Sequence, residues 1–285
     1  MHSTASPAEL HCSQPQGLQV QGMRTARLPW RFDTRAALQE VQALPESLWQ
    51  NHFNQGFHDG GWQALALRFA AAAPVDIVPV DVPVSAYADS PVLEQCPELR
   101  AMLDTMALPW KSVRLMRLLP SGEIKEHTDA GVCAANGEAR LHVPLQTDEQ
   151  VFFHVDGDRI PLRAGECWYV DVSRPHRVRN RGQQARIHLV ADALVDMRLY
   201  EAFCTSDAGE PLPEGQDPWQ HFLRFKTFVE ADAELTQQLY EIVKMDEFVS
   251  ESLRIGRAAG FYFEASDVES AIKAGRRSWV EQWIM

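Results

Sequence analysis

Apolar and polar positions change their rhythm three times along the chain. Thr34–Ala43 places Ala37, Leu38 and Val41 at helical spacing, with Thr34 as an N-cap and Pro45 just beyond the end. Pro97–Met106 predicts a second helix: Pro97 suits a first turn, and Leu99, Met102, Leu103 and Met106 form the apolar stripe. Between them, Gly60-Gly61 predicts a turn. A strand follows, with Leu65, Leu67 and Phe69 on one side and Ala64, Ala66 and Arg68 on the other.

From Lys111 the elements become short and β-rich. KSVRLMRLLP sets Val113, Leu115 and Arg117 on one side of a strand. EIKEHTD, ARLHVPLQT, VFFHVDG, DRIPL, ECWYVD, HRVRNR and ARIHLVAD follow, separated by Gly, Asp, Asn or Pro. Such spacing predicts a sandwich or jelly roll. No predicted helix interrupts it, so a doubly wound parallel sheet fits poorly.

After Cys204 the polar stretch SDAGEPLPEGQDP reads as a linker over 205–217. Four helices are predicted beyond it. The first runs near Pro218–Glu230 and carries Phe222, Phe225, Phe228 and Val229. The second starts at Asp232 and carries Leu235, Leu239, Ile242 and Val243. The third starts at Asp246, carries Phe248, Val249 and Leu253, and closes at Gly260. Ser266 and Glu269 read as a capping box opening the fourth, with Val268, Ala271 and Ile272. Residues 1–22 show no apolar period and read as a disordered tail, with Met23 an alternative start. The expected fold class is α+β: a jelly roll with flanking helices over 24–200, then a small all-α domain over 218–285.

Composition narrows the partners. The 285 residues carry a formal charge of −12, which disfavours nucleic acid and anionic membrane surfaces. No apolar run approaches bilayer length, and MHSTASPAELHCSQPQG lacks the form of a secretory signal. A cytoplasmic location is the expectation. The five cysteines are scattered without a C-x-x-C pair, so a zinc ribbon or disulfide framework is not expected.

The chemistry concentrates in Glu126–Asp192. His127 and Asp129 form a His-x-Asp, His176 follows Pro175, and Arg186 stands ten residues later on an apolar strand. Two imidazoles and one carboxylate are the ligand set of non-haem Fe(II) oxygenases. On a strand, residues i and i+2 project together, so His127 and Asp129 can face one barrel mouth while His176 arrives from a distant strand. Arg186 can clamp a dicarboxylate with bidentate bonds, which suits 2-oxoglutarate. His142 either bonds the same co-substrate or is a satisfied core histidine. Arg117 and Arg140 are candidate cations for a substrate carboxylate. Trp168 is a candidate for the pocket wall, with a core position as the alternative.

These residues resemble the aspartyl/asparaginyl β-hydroxylase family, which includes bacterial free-proline cis-hydroxylases. The resemblance spans about Arg24–Ala193. It rests on W-x-x-H-x-N at Trp49–Asn54, Gly-x-x-x-x-His-x-Asp at Gly122–Asp129, RLH at Arg140–His142, GECWYVD at Gly165–Asp171, PHRVRN at Pro175–Asn180 and RIHLV at Arg186–Val190. It implies a double-stranded β-helix and hydroxylation dependent on Fe(II), 2-oxoglutarate and dioxygen, with release of CO2 and succinate. Within that family the retained Asp129 implies hydroxylation rather than halogenation. The tail resembles leader-peptide domains of the Nif-eleven type. Phe225, Phe228, Val229, Asp232, Leu235, Leu239, Phe248, Val249, Gly260, Phe261, Phe263 and Val268 carry that likeness. It implies a docking module that links the enzyme to peptide maturation, with an accessory bundle for packing or dimer contact as the alternative, and RRSWVEQWIM after Gly275 offers no core peptide to modify.

The expectation is therefore a hydroxylase acting on an amino acid, or on an Asp/Asn- or Pro-type residue in a peptide. Two alternatives are a cupin-like isomerase or metal-binding protein, which would not need Arg186, and a non-catalytic peptide-docking module.

Overall fold

The computed structural model describes residues 22–53, 55–58, 60–73, 75–129, 131–209 and 217–284. The expected N-terminal tail, apart from Gly22, and Asn54 of the W-x-x-H-x-N motif lie outside them. The chain divides into two compact units, 1–211 and 212–285.

The first unit is an antiparallel jelly roll of two sheets. The larger is built from β1 (Thr25–Arg31), β2 (Gln50–Asn51), β3 (Trp62–Ala70), β4 (Tyr87–Asp89), β5 (Trp110–Leu118), β7 (Glu138–Gln146), β10 (Glu166–Val170) and β12 (Arg186–Leu194). Their order is β1-β10-β7-β12-β5-β3-β2, with β4 on β3. The smaller sheet runs β6 (Glu123–His127), β11 (His176–Asn180), β8 (Val151–Val155) and β9 (Asp158–Arg159). The α+β class and the jelly roll expected from the strand spacing are what the chain adopts.

The large sheet has two working faces because alternate side chains point to opposite sides. Its outer face, with Leu65, Leu67, Val113, Leu115, Leu141, Val143 and Leu189, packs under helices α1 (Arg35–Ala43), α2 (Pro91–Glu94), α3 (Pro97–Met106) and α4 (Met197–Cys204). α3 buries Leu99, Met102, Leu103 and Met106, the predicted stripe, and stops where Ala107 turns left-handed. α1 starts at the expected place, but the Thr34 side chain makes no capping bond; the Asp33 carboxylate accepts from the Arg35 N–H at 3.1 Å instead. The inner face meets the small sheet around Trp62, Met116, Leu118, Ile124, Phe153 and Val190, and holds the cavity described below.

Three local differences have physical causes. Phe69 joins Ala64, Ala66 and Ile77, not Leu65 and Leu67, because a register shift between Ala66 and Arg68 resets the alternation. β1 and α4 lack a strong local signal and form through long-range packing: β1 adds to the edge of β10, and Leu199 and Phe203 of α4 enter the main core. The ordered part of the first unit also runs past 204. Arg27 holds Asp207 through two guanidinium bonds of 2.7 and 2.9 Å, and a Cβ at Gly209 would meet the Trp168 ring at 2.5 Å. That polar stretch therefore begins as a packed strap, and residues 210–216 lie outside the description.

The second unit contains α5 (Pro218–Glu230), α6 (Ala233–Tyr240), α7 (Met245–Ala258) and α8 (Ala265–Ile284) around Phe222, Phe225, Leu239, Val249, Phe263 and Val268. Asp217 and Asp232 cap α5 and α6. α6 ends at Tyr240, so Ile242 and Val243 fall beyond it, and Val243 is exposed. The cap of α8 is not Ser266: Asp267 accepts from the Glu264 N–H at 2.8 Å, and the Ser266 hydroxyl is buried without a partner. No described helix is long and apolar enough to cross a membrane.

Candidate metal centre and active site

The ligand candidates are brought together by strand pairing. β6 and β11 are antiparallel neighbours, and His127 stands opposite His176 in their register. The imidazole centroids are 4.2 Å apart. Asp129 lies two residues past the end of β6, so strand alternation alone does not place it. Its N–H donates to Val172 O at 2.8 Å, and that tie turns its carboxylate back toward the histidines. Ligand atoms of His127, Asp129 and His176 all lie within 4.8 Å of one another.

Each histidine is also fixed in tautomer. His127 Nδ1 lies 2.8 Å from Lys125 O, and His176 Nδ1 lies 2.9 Å from Arg174 O. A carbonyl only accepts, so both Nδ1 atoms carry the proton and both Nε2 lone pairs are left for a cation. His127 Nε2 is 3.8 Å from Asp129 Oδ1. Burial, with the neighbouring His127 added, pushes His176 down to about 4, which keeps it neutral. Burial alone would raise Asp129, but Arg140 first, then His176 and His127, outweigh it and hold the carboxyl at about 2. Two imidazoles, each with its Nε2 turned to the same point, and one carboxylate fit a ferrous ion. Phe57 and Trp62 flank His127, at centroid distances of 4.8 and 5.9 Å, as an aromatic wall.

The triad opens on a cavity of about 720 Å³ that also takes in Arg186 and His142. Arg186 is 2% exposed and meets no carboxylate among the described residues. One nitrogen donates to His188 Nδ1 at 2.8 Å, Nε has no partner, and burial pushes the group down to about 9. A buried guanidinium without an anion is costly unless a ligand supplies one. His142 and His188 lie side by side, with Nδ1 atoms 3.4 Å apart, and both Nε2 atoms are unpartnered. Burial, then Arg186, pushes both far below the ordinary histidine value. His142 lines the cavity, whereas His188 is fully buried behind Arg186.

Other expected residues fall elsewhere. Arg117 is not a cavity residue. It points to the outer face of β5, pairs with Glu46 and Gln63, and lies over the Trp49 ring at 4.2 Å. Trp168 does not reach the cavity wall; it is fully buried in the inter-sheet core and donates to Glu166 at 2.9 Å. Arg140 does line the cavity, but as a brace. It bonds Asp129 at 2.5 Å and Asp192 at 2.7 and 3.0 Å, so its guanidinium orients the carboxylate of the triad.

Arg114 and Asp192 carry no local motif. Asp192 is 0% exposed and also accepts from Arg114 at 2.8 Å, so two arginines share one carboxylate. Arg114 lines the cavity with Nε unpartnered. The available signal was position: Arg114 is out of phase with the apolar residues Val113 and Leu115, and Arg140 and His142 alternate with Leu141 and Val143 on β7. His52, stacked on Trp62 at 3.4 Å, is a further wall residue, and burial, then Arg114, pushes it down to about 3.

No curated protein matches this chain. Several solved structures show a partial likeness to the chain. One is an oxidoreductase of the 2OG-Fe(II) oxygenase family from Burkholderia pseudomallei, 16% identical over 54% of this chain and 76% of that one, with a TM-score of 0.35. Another is HygX from Streptomyces hygroscopicus with nickel and 2-oxoglutarate bound, 12% identical over 61% and 83%, TM-score 0.36. A third is a predicted oxalate decarboxylase from Thermotoga maritima, 16% identical over 52% and 92%, TM-score 0.30. Likeness at this level says nothing of chemistry. The sequence model of aspartyl/asparaginyl β-hydroxylases matches residues 32–195, which hold the whole triad and Arg186, and by that match the chain belongs to the aspartyl/asparaginyl β-hydroxylase family.

Proposed function

We propose that the chain is an Fe(II)- and 2-oxoglutarate-dependent dioxygenase that hydroxylates a C–H bond of an amino acid or an amino-acid residue. The observation that carries this reading is one cavity holding both a convergent His127/Asp129/His176 set and a buried Arg186 that meets no carboxylate among the described residues. His127, Asp129 and His176 would hold the iron on one face. Iron with 2-oxoglutarate and dioxygen supplies the oxidising chemistry, and the protein supplies position and dryness.

Arg186 would take the distal carboxylate of 2-oxoglutarate, held at its angle by His188, while His142 offers Nε2 as a second contact. Arg140 keeps Asp129 ionised and aimed. Arg114, beside it with a free Nε, is the cation for a substrate carboxylate. Trp62, Phe153 and Phe57 keep water from the reacting side. A cupin-like isomerase would have no use for Arg186.

The test is Fe(II)-dependent consumption of 2-oxoglutarate, followed by mass spectrometry for a product one oxygen heavier over amino acids and peptides. His127→Ala and Asp129→Ala should each remove coupled turnover. If either retains it, the site assignment is wrong.

A further inference from the structure

The two oxygens of Asp129 have different partners. Oδ1 lies 3.8 Å from His127 Nε2, within the cluster of candidate ligand atoms. Oδ2 accepts from Arg140 Nη1 at 2.5 Å. An ionised carboxylate can offer a cation one oxygen or both. Here the second oxygen is already taken.

The group that takes it is itself fixed. Arg140 on β7 stands opposite Asp192 on β12 in their register. Its Nε and Nη2 donate to the two oxygens of Asp192 at 2.7 and 3.0 Å, a fork-to-fork pair. Asp192 is fully buried and also accepts from Arg114 at 2.8 Å. One edge of the planar guanidinium is thereby pinned to the large sheet, and Nη1 on its other side reaches Asp129. Asp129 lies beyond the end of β6, with its backbone N–H tied to Val172 O. The grip on its carboxylate therefore comes from β7 and β12, not from its own strand.

We propose that Arg140, anchored by Asp192, is a positioning residue that withholds Oδ2 of Asp129 from the metal, so that this carboxylate binds through Oδ1 alone. The inference rests on the hydroxylase reading for the metal at the triad. A six-coordinate ion held by two imidazoles and one carboxylate oxygen keeps three positions open for co-substrate and dioxygen. A carboxylate that chelated through both oxygens would close one of them. The arrangement works against affinity, because a guanidinium on the same carboxylate competes with the metal and repels a cation. Arg140 thus weakens metal binding while it keeps the coordination sphere open. A residue that only held the fold together would do neither.

The test uses Mn(II) alone as the probe on the full chain. Paramagnetic resonance reads its affinity, and line broadening in oxygen-labelled water counts the waters it keeps. The parent chain should hold Mn(II) with three waters. Arg140→Met, which leaves Asp192 paired with Arg114, should bind Mn(II) about tenfold more tightly, the scale of one released charge-assisted contact, and keep one water fewer. Arg140→Gln can still bond Asp192 but lacks the fork that spans both carboxylates, and should shift both readings the same way. The proposal is overturned if the parent keeps only two waters, if the variants keep as many as the parent, or if they bind Mn(II) no more tightly. Should Arg140→Met fail to fold, Arg140→Gln is read by the same rule, and the parent count decides without either. Mn(II) binding that His127→Ala leaves unchanged would take the metal from the triad and overturn both readings. Three waters and tighter variants, without oxygen-dependent loss of 2-oxoglutarate in the parent, would sink the hydroxylase reading and leave this role of Arg140 standing. Turnover in a parent chain that keeps only two waters would do the reverse.

Discussion

The two units of this chain solve the same problem, keeping polar groups out of trouble, in opposite ways. The helical unit settles its helix-end polar groups locally, although the Ser266 hydroxyl is left without a partner. Asp217 and Asp232 cap the helices they precede, Gly260 turns left-handed after α7, and the interior is aromatic and aliphatic. The jelly roll instead buries Arg114, Arg140, Arg186, Asp192, His142 and His188 between its sheets. Several of those groups keep an unpartnered nitrogen facing or backing the cavity. Burying charge costs free energy that stability alone does not return. The jelly roll therefore carries the marks of a site that ligands complete, and the helical unit carries the marks of a self-contained bundle.

Substitutions can break this contrast. The largest expected effect is at Asp192. Asp192→Asn leaves two buried guanidiniums without their shared anion and should cost about 3–5 kcal/mol. Chemical denaturation followed by Trp168-side fluorescence should show the loss in the jelly roll. An unchanged midpoint would mean that the buried charges are not coupled as the geometry implies.

A second test is acid. His52 has an ordinary value of 6.5 and is held at about 3 in the folded state by burial, then by Arg114. The unfolded chain thus binds the proton first. Stability from this group is fully present above 6.5 and is lost as pH falls from there toward about 3. Between pH 6.5 and 5 the loss is about 2 kcal/mol at 1.4 kcal/mol per pH unit. His52→Gln should flatten the melting profile over that window relative to the parent chain, and a profile with the same slope would remove His52 as the cause.

In the helical unit the corresponding effect is small and local. Asp232→Ala removes a cap that accepts from both Glu234 and Leu235, and about 1 kcal/mol should go with it. Hydrogen exchange should rise at the start of α6. Smallest of all is Arg117→Ala. Its partner Glu46 is mostly exposed, so stability should change by about 0–1 kcal/mol and 2-oxoglutarate turnover should stay at the parent level. A large fall in turnover would return Arg117 to the site.

Much of this was legible before any coordinates. The strand-rich middle followed from short apolar alternation, α3 from its stripe and first-turn proline, and α5 from its aromatic stripe, because each of those signals is local. The triad was legible because His127 and Asp129 sit two apart and Pro175-His176 begins a strand. Which face of a strand meets the cavity was not legible. Alternation sorted Val113, Leu115 and Arg117 from Arg114 and Met116, but could not say which set looks inward. The register shift after Ala66 also moved Phe69 across the sheet.

The amino-acid sequence by itself determined the apolar periods and the residue types of the His127/Asp129/His176 cluster, since these depend on neighbours a few positions away; the caps expected at Thr34 and Ser266 gave way to their neighbours Asp33 and Asp267. Only the tertiary structure decided that Arg114 rather than Arg117 faces the cavity. It also decided that Asp192, 78 positions from Arg114 and 52 from Arg140, joins them. Pairing β12 with both β5 and β7 is what brings those three side chains to one buried point, and no local pattern encodes a partner that the fold alone supplies.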